Sequence, residues 1–359
     1  MSSPLRVAVV GGGIGRHHIE GWQKLAGQAE VRAICDVNET KAKEVAAEFK
    51  LPHAFTTLEQ ALTRDDLDVI DLCTPPFLHF EQIQAVLRAG KHAVCEKPLV
   101  SSLAEVDALA EVEKASGKRL MPIFQYRFGH GLQKLKHLVE LGLAGDAFLA
   151  TAETAWRRRA NYYEVPWRGK WKTEMGGAVL GHAIHAHDMV SYILGPAKSV
   201  FARCATRVNK IEVEDCASAS LEMANGALVT LAVTLGCPEE ITRHRFCFRN
   251  FVAESCLLPY NNSTDPWKFT GDSPELQKEI DAALAAYVPQ HEGFAGQFAR
   301  FCTALATGGE IPVTLADARA SLELVTAIYT SSEENLPVSL PLTSTHSRYK
   351  SWVPNITVA

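Results

Sequence analysis

Leu5-Arg6-Val7-Ala8-Val9-Val10-Gly11-Gly12-Gly13-Ile14-Gly15-Arg16 is the stretch that decides the fold of this chain. Val7–Val10 is an unbroken apolar run, suited to a strand covered on both faces. It runs directly into glycines and then into a helical stretch. A dinucleotide-binding turn needs glycine there, for the tight turn and for close approach of backbone N–H groups to a pyrophosphate. Gly11 and Gly13 fit G-x-G, but Gly15 stands one residue earlier than the third glycine of G-x-G-x-x-G, with Arg16 in its place. An ordinary strand-to-helix turn gives the same cluster, so position has to decide.

Asp36 ends a second apolar run, Val31–Cys35, 21 residues beyond Gly15. A carboxylate there accepts both adenosine ribose hydroxyls and repels a 2′-phosphate. Val37 and Asn38 bring no cation for that phosphate, so the expected cofactor is NAD, held by Gly11, Gly13, Ile14, Gly15 and Asp36. Val69–Cys73, Ala93–Cys95 and Leu120–Phe124 continue the strand series, with helical stretches between them. Thr57 with Gln60, and Ser102 with Glu105, have capping-box spacing, and Gly90 and Gly117 stand at expected helix C-termini. The alternation predicts an α/β fold with a doubly wound parallel Rossmann sheet. Pro122 lacks a donor and places the last strand near an edge.

From about residue 147 the texture changes. Phe148–Ala155, Ser199–Val208, Ala217–Ala224, Ala227–Leu235, Arg243–Phe248 and Phe251–Leu258 read as strands, several with two-residue alternation. Asn225-Gly226 between two of them predicts a type I′ hairpin. With few helices to cover it, this becomes an open-faced, largely antiparallel sheet whose bare face another subunit buries, in a homodimer or homotetramer. Helices return at Glu292–Ala306 and Leu315–Ser331, with apolar faces able to dock on the first domain. The expected organisation is an NAD-binding domain over 1–125 and a substrate-binding and oligomerisation domain over 126–359.

Composition narrows the classes. The 359 residues are 47% hydrophobic and 21% charged, with a formal net charge of -5, so no broad basic footprint invites nucleic acid. No stretch of about 18 apolar residues suggests a membrane span, and the start of the chain reads as a strand rather than a signal peptide. The nine cysteines are scattered without a C-x-x-C pair, which argues for core thiols over disulfides or zinc. The expected location is the cytoplasm.

Cys73-Thr74-Pro75-Pro76 and Cys95-Glu96-Lys97-Pro98 each end a parallel strand, with His79 entering the helix after the first. Ligands of open α/β sheets bind at such strand ends. Together with Gly11–Gly15 and Asp36, these segments resemble the glucose–fructose oxidoreductase / inositol dehydrogenase / rhizopine-catabolism (Gfo/Idh/MocA) family. The resemblance extends over nearly the whole chain, through Gln125-Tyr126-Arg127-Phe128 to Pro312-Val313-Thr314, Asp317-Ala318-Arg319, Leu322-Glu323 and Leu340-Pro341-Leu342. It implies a Rossmann domain, a second α/β domain with an open sheet, and NAD(P)-linked oxidation or reduction of a sugar or polyol hydroxyl. The family's lysine maps onto Lys97. Thr74, Pro75, His79, Glu96 and Lys97 join the expected cofactor contacts.

Met175 to Asp188 holds the densest constellation. The family pattern D-x-G-x-H-x-x-D maps onto Gly181, Ala183, His185 and Asp188. His185 and Asp188 are present, while Gly181 replaces the first aspartate, which puts that aspartate's part in a proton relay in doubt. His182, His185 and His187 invite a metal, but i, i+4 spacing with a base glutamate is lacking, so none is expected. His182 and His185 should share a helix face, and His187 and Asp188 read as structural. Upstream, Trp156-Arg157-Arg158-Arg159, Tyr162-Tyr163 and Trp167-Arg168-Gly169-Lys170-Trp171 mix cations with aromatic faces, as a sugar site would; a solvated basic loop is the plainer alternative. Trp167 and Arg168 are expected near cofactor, and Lys97, Tyr126, Arg158, Tyr163, His182 and His185 near substrate.

The expected activity is NAD-dependent dehydrogenation of a secondary hydroxyl on a sugar, glycoside or polyol. His185 takes the hydroxyl proton and Lys97 stabilises the oxygen, or the two exchange roles. Two alternatives stand beside it: an NAD-dependent glycosidase working through transient oxidation, and a non-catalytic NAD-sensing protein.

Overall fold

The computed structural model describes residues 3–353. The N-terminal part alternates strand and helix: β1 (Leu5–Val10), α1 (Gly15–Gln23), β2 (Ala29–Cys35), α2 (Glu39–Phe49), β3 (His53–Phe55), α3 (Leu58–Leu62), β4 (Val69–Leu72), α4 (His79–Arg88), β5 (His92–Cys95), α5 (Leu103–Ser116) and β6 (Leu120–Pro122). The six strands are parallel in the order β3-β2-β1-β4-β5-β6. The order reverses between β1 and β4, which opens a crevice at their carboxyl ends. Val7, Ala8, Val9, Val69, Ile70 and Leu72 are buried completely, as unbroken apolar runs require. Pro122 lies on the edge strand, as its missing donor demands. Thr57 and Gln60 form the full capping box, and Ser102 caps α5 through the Glu105 N–H. β3 has no apolar run to announce it; it forms because it pairs with β2, Ala33 opposite His53 and Cys35 opposite Phe55.

The rest of the chain forms α6 (His130–Glu140), β7 (Ala147–Arg157), α7 (Trp171–Glu174), α8 (Ile184–Leu194), β8 (Ala197–Ala205), β9 (Cys216–Met223), β10 (Leu228–Thr234), β11 (Gly236–Phe248), β12 (Phe251–Glu254), β13 (Lys268–Gly271), α9 (Pro274–Ala286), α10 (Gly293–Thr307), α11 (Leu315–Glu334) and β14 (Val338–Ser339). Its eight strands run β13-β12-β11-β7-β10-β9-β8-β14, antiparallel except for the β7–β10 pair. One face buries Ala150, Ala152, Leu221, Val229, Leu231 and Phe246. The other leaves Leu149, Phe201 and Leu228 exposed, so the sheet is open-faced. The hairpin at Asn225-Gly226 is real, but its turn is not type I′. Gly226 has φ +87° while Asn225 is absent from the positive-φ residues, and Gly226 N–H donates to Met223 O. That is a type I turn followed by a left-handed glycine, with Asn225 Oδ1 accepting from Ala227 N–H.

The chain divides into two compact units, one of residues up to Gln125 with His291–Arg319, the other Tyr126–Gln290 with the chain from Ala320 onward. α10 belongs with the Rossmann sheet: Phe298 stacks on Trp22 at 4.0 Å and 5°, and a Cβ at Gly21 would meet Phe294 Cβ at 2.9 Å. Gln297 accepts from Phe124 N–H at 3.1 Å and donates to Pro122 O at 2.7 Å, covering the sheet's edge. Most of α11 belongs to the second unit. It serves the second sheet, where Ser331 and Ser332 hydroxyls accept from the N–H groups of Ala202 and Cys204 in β8. No helix among the described residues is long and apolar enough to cross a membrane.

Phe298→Ala removes the ring that fills the α1–α10 contact. The unfolding transition, followed by urea denaturation, should lose about 3–5 kcal/mol, and a loss under about 1 kcal/mol would show that α10 is not part of this core.

Candidate functional site

The glycine turn is built by close approach. Gly11 sits at φ +104°, and a Cβ there would lie 2.5 Å from the Cys73 carbonyl oxygen; one at Gly15 would lie 2.9 Å from Val9 Cγ1. Gly11 therefore makes the turn and Gly15 packs α1 on β1, with one residue fewer between them than in G-x-G-x-x-G. A Cβ at Gly13 would meet nothing within 4 Å, and beside it the exposed Ile14 caps the N-terminus of α1. Such a terminus accepts the negative charge of a pyrophosphate.

Asp36, just past β2, accepts from Gly12 N–H at 2.8 Å and Asn38 N–H at 3.0 Å. Lys41 Nζ lies 2.9 Å from its Oδ2. Burial alone would raise this carboxyl, but the bonds from Lys41, Asn38 and Gly12 outweigh it and hold the group below the usual carboxylate range. Val37 and Asn38 bring no cation, as the sequence indicates, yet Lys41 from the next turn does.

At the β4 and β5 ends the expected contacts split. Thr74, whose hydroxyl donates to Gln82 Oε1 at 2.6 Å, and Pro75 are partly exposed. His79 is fully buried, its ring nitrogens facing Thr74 O at 2.9 Å and Pro98 O at 3.0 Å. Burial lowers its pKa, and its ring bridges the two strand ends. Glu96 likewise turns inward, one oxygen on His18 Nε2 at 3.0 Å and the other on Lys97 N–H at 2.9 Å. Lys97 itself is half-buried.

In the second unit, His182 and His185 stand in different helical elements. His182 closes the π-helical turn Ala178–His182, whereas His185 belongs to α8. His185 stacks on Tyr126, centroids 4.5 Å apart at 14°, and burial raises the Tyr126 phenol well above its ordinary pKa. His182 Nε2 lies 3.2 Å from Tyr162 OH, its ring edge-on to Trp156. His187 is buried with no hydrogen-bond partner on either ring nitrogen, and burial with His244 nearby takes its pKa down to about 3. Asp188 forms a buried two-point pair with Arg127, 2.8 and 2.6 Å. A Cβ at Gly181 meets nothing within 4 Å, so the position of the family's aspartate is open.

The aromatic–basic loop is organised around Arg158 and Tyr162. The Arg158 guanidinium carbon lies 5.3, 5.0 and 5.4 Å from the rings of Trp156, Tyr162 and Tyr260, and Nη1 bonds Tyr260 OH at 2.8 Å and Glu240 at 3.3 Å. Its Nε is buried without a partner, as is the Tyr163 hydroxyl. Arg168 lies over Tyr162 and Trp167 at 4.1 and 4.3 Å and bonds Glu174 at 3.1 Å. Tyr260 and Glu240 escaped the sequence reading because they lie 102 and 82 positions from Arg158 and only folding brings them near.

Glu214 was missed as well. It lies buried under the π-helical turn, accepting from the N–H groups of Gly177 and Val179 and from Tyr329 OH at 2.9 to 3.1 Å. No local pattern marks it; its partners lie 35 or more residues away.

Comparison with known proteins follows the same division. The model "Oxidoreductase family, NAD-binding Rossmann fold" matches residues 5–124, and "GFO/IDH/MocA C-terminal domain" matches residues 132–248. Among curated relatives, the D-glucoside 3-dehydrogenase of Escherichia coli (strain K12) is 26% identical over 94% of this chain and 98% of its own length. The myo-inositol 2-dehydrogenase of Thermotoga maritima is 31% identical over 62% of this chain and 66% of its own. Among solved structures, the WlbA dehydrogenase from Bordetella pertussis in complex with NADH and UDP-GlcNAcA superposes with TM-score 0.83 at 27% identity, over 95% of this chain and all (100%) of that one.

Burial pushes the Glu214 carboxyl up to about 7 against the hydrogen bonds it accepts. The fold holds this proton more tightly than the unfolded chain does. Its stabilising contribution is therefore full below the ordinary value of 4.5 and lost as pH rises through about 7. Glu214→Gln mimics the protonated acid at every pH. Its Tm relative to wild type should rise between about pH 4.5 and pH 8; a constant difference would show that Glu214 titrates normally.

Proposed function

Because the chain belongs to the Gfo/Idh/MocA family of NAD-binding oxidoreductases and acts on CH–OH groups with NAD as cofactor, we propose that it oxidises a secondary hydroxyl of a sugar, glycoside or polyol. Two observations, one in each unit, support this reading: Lys97 follows β5 with its backbone N–H held by Glu96, and His185 stacks on Tyr126. NAD supplies the hydride acceptor. The open amides of the glycine turn hold its pyrophosphate, and the Asp36 carboxylate takes its ribose hydroxyls. Trp167 and Arg168 complete the cofactor contacts.

His185 accepts the hydroxyl proton, since an imidazole has its pKa near working pH and the stacked Tyr126 fixes its plane. Lys97 donates to the same oxygen and stabilises the negative charge that develops as hydride leaves carbon. With Gly181 in place of an aspartate, no carboxylate at that position completes a relay, and the proton must leave from the imidazole directly. Arg158, Tyr163 and His182 supply hydrogen bonds to the sugar's remaining hydroxyls, with Trp156 and Tyr162 as apolar faces. Relatives acting on glucosides and inositols, and a structural neighbour holding a sugar nucleotide, support this class of substrate. The exposed Leu149, Phe201 and Leu228 suit burial by a second copy of the chain, and nine free thiols suit a reducing cytoplasm; a monomer by light scattering would remove the first assignment.

Lys97→Ala and His185→Ala should each lower turnover at least about a hundredfold while NADH still binds. The assay is NADH formation with methyl glucosides, myo-inositol and uronic acids; release of aglycone without NADH would indicate a glycosidase instead. Retained turnover in either variant removes that residue from the mechanism. Asp36→Ser, which frees Lys41, should narrow the preference for NADH over NADPH by about tenfold or more in fluorescence titration. An unchanged ratio would take Asp36 out of ribose recognition.

A further inference from the structure

Beneath the strand ends of the Rossmann sheet runs a buried ionic chain. His18, on α1, and Asp71, on β4, have no exposed surface, and Glu96 has almost none. His18 Nδ1 lies 3.0 and 2.9 Å from the two Asp71 oxygens, and Nε2 lies 3.0 Å from Glu96 Oε1. Trp22 Nε1–H donates to Asp71 Oδ2 at 2.8 Å, and Lys97 N–H donates to Glu96 Oε2 at 2.9 Å. The rings of Phe294 and Phe298 close over His18 at 4.3 and 5.5 Å.

Ionised carboxylates only accept hydrogen bonds, so an imidazole between two of them satisfies both only when both its nitrogens donate. His18 is then an imidazolium. Burial opposes that charge, but Asp71 outweighs burial and raises the His18 pKa well above its ordinary value. The same atoms also come close enough to suggest a metal, since His18, Asp71 and Cys73 offer ligand atoms within 4.8 Å of one another. Their hydrogen bonds argue otherwise. The Cys73 thiol donates to Asp71 at 3.7 Å, and burial keeps it protonated, whereas a metal would bind the thiolate.

We propose that His18 is a positioning residue for Lys97: as an imidazolium it holds Glu96 in the orientation that lets its second oxygen take the Lys97 N–H. One Glu96 oxygen faces His18 Nε2 and the other takes the Lys97 N–H, so each contact fixes the oxygen left for the other. Without the His18 charge the carboxylate loses one anchor, and the backbone from which the Lys97 side chain departs loses its clamp. The inference rests on the catalytic role proposed for Lys97.

The test uses full-length His18→Gln, which keeps one donor and removes the charge. With methyl glucosides, myo-inositol and uronic acids as substrates, kcat should fall by about tenfold to a hundredfold, with KM and the NADH Kd held within about threefold. In wild type labelled with 15N-histidine, both His18 nitrogens should remain protonated from pH 6 to 9. This measurement needs neither substrate nor a folded variant. An unchanged kcat, a neutral His18 tautomer, or one equivalent of zinc in the purified protein would overturn the proposal. Activity surviving in Lys97→Ala would instead refute the role of Lys97, whereas an inactive Lys97→Ala beside a fully active His18→Gln refutes only the positioning.

Discussion

The first sheet depends on how closely the turn after β1 approaches the end of β4. Gly11 N–H bonds Cys35 O at 2.7 Å on one side, while the Cys73 carbonyl occupies the space where its Cβ would stand. That contact sets the turn against the point of strand-order reversal and aims the start of α1 across the crevice. A side chain at Gly11 would force the turn away from the end of β4, which also carries Thr74. The turn does not tolerate crowding, but it does tolerate a change in length. It works with one residue fewer than the common spacing because the two constrained glycines, Gly11 and Gly15, still meet their own neighbours.

Charged residues buried in the second unit act mostly on backbone. Asp215 accepts from the N–H groups of Arg207, Val208 and Asn209 at 2.7 to 3.0 Å, and Glu214 does the same for the turn ahead of α8. Arg127 and Asp188 lock the segment beside Tyr126 to α8. Irregular backbone cannot satisfy its own N–H groups, so carboxylates at adjacent sequence positions are spent on stabilising two different loops. The residues facing the aromatic–basic loop can then be held in place without regular secondary structure.

The Rossmann alternation, the edge position of Pro122 and the open second sheet were legible because each follows from local apolar periodicity or from a residue's own covalent limits. The positions of Asp36 and Lys97 just past strand ends were legible because each follows an apolar run. Lys41, Glu214, Tyr260 and His18 were not, because each gains its meaning from a partner brought in by folding. The hairpin at Asn225-Gly226 was misread at the level of turn type for a related reason: Asn-Gly serves both turns, and strand register chooses. The helix α10 and its apolar docking face were plain in the sequence; that the face meets Trp22 was not.

Gln297 acts toward β6 as a substitute strand, offering one acceptor and one donor to an edge that would otherwise pair with whatever backbone came near. It lies 175 residues after Pro122. On the ribosome, at about 5–20 residues per second, that edge is complete and uncovered for roughly ten to thirty-five seconds before its cover is made. The domain read first from the sequence is therefore finished late in synthesis, and its first folded form presents a bare strand to its surroundings.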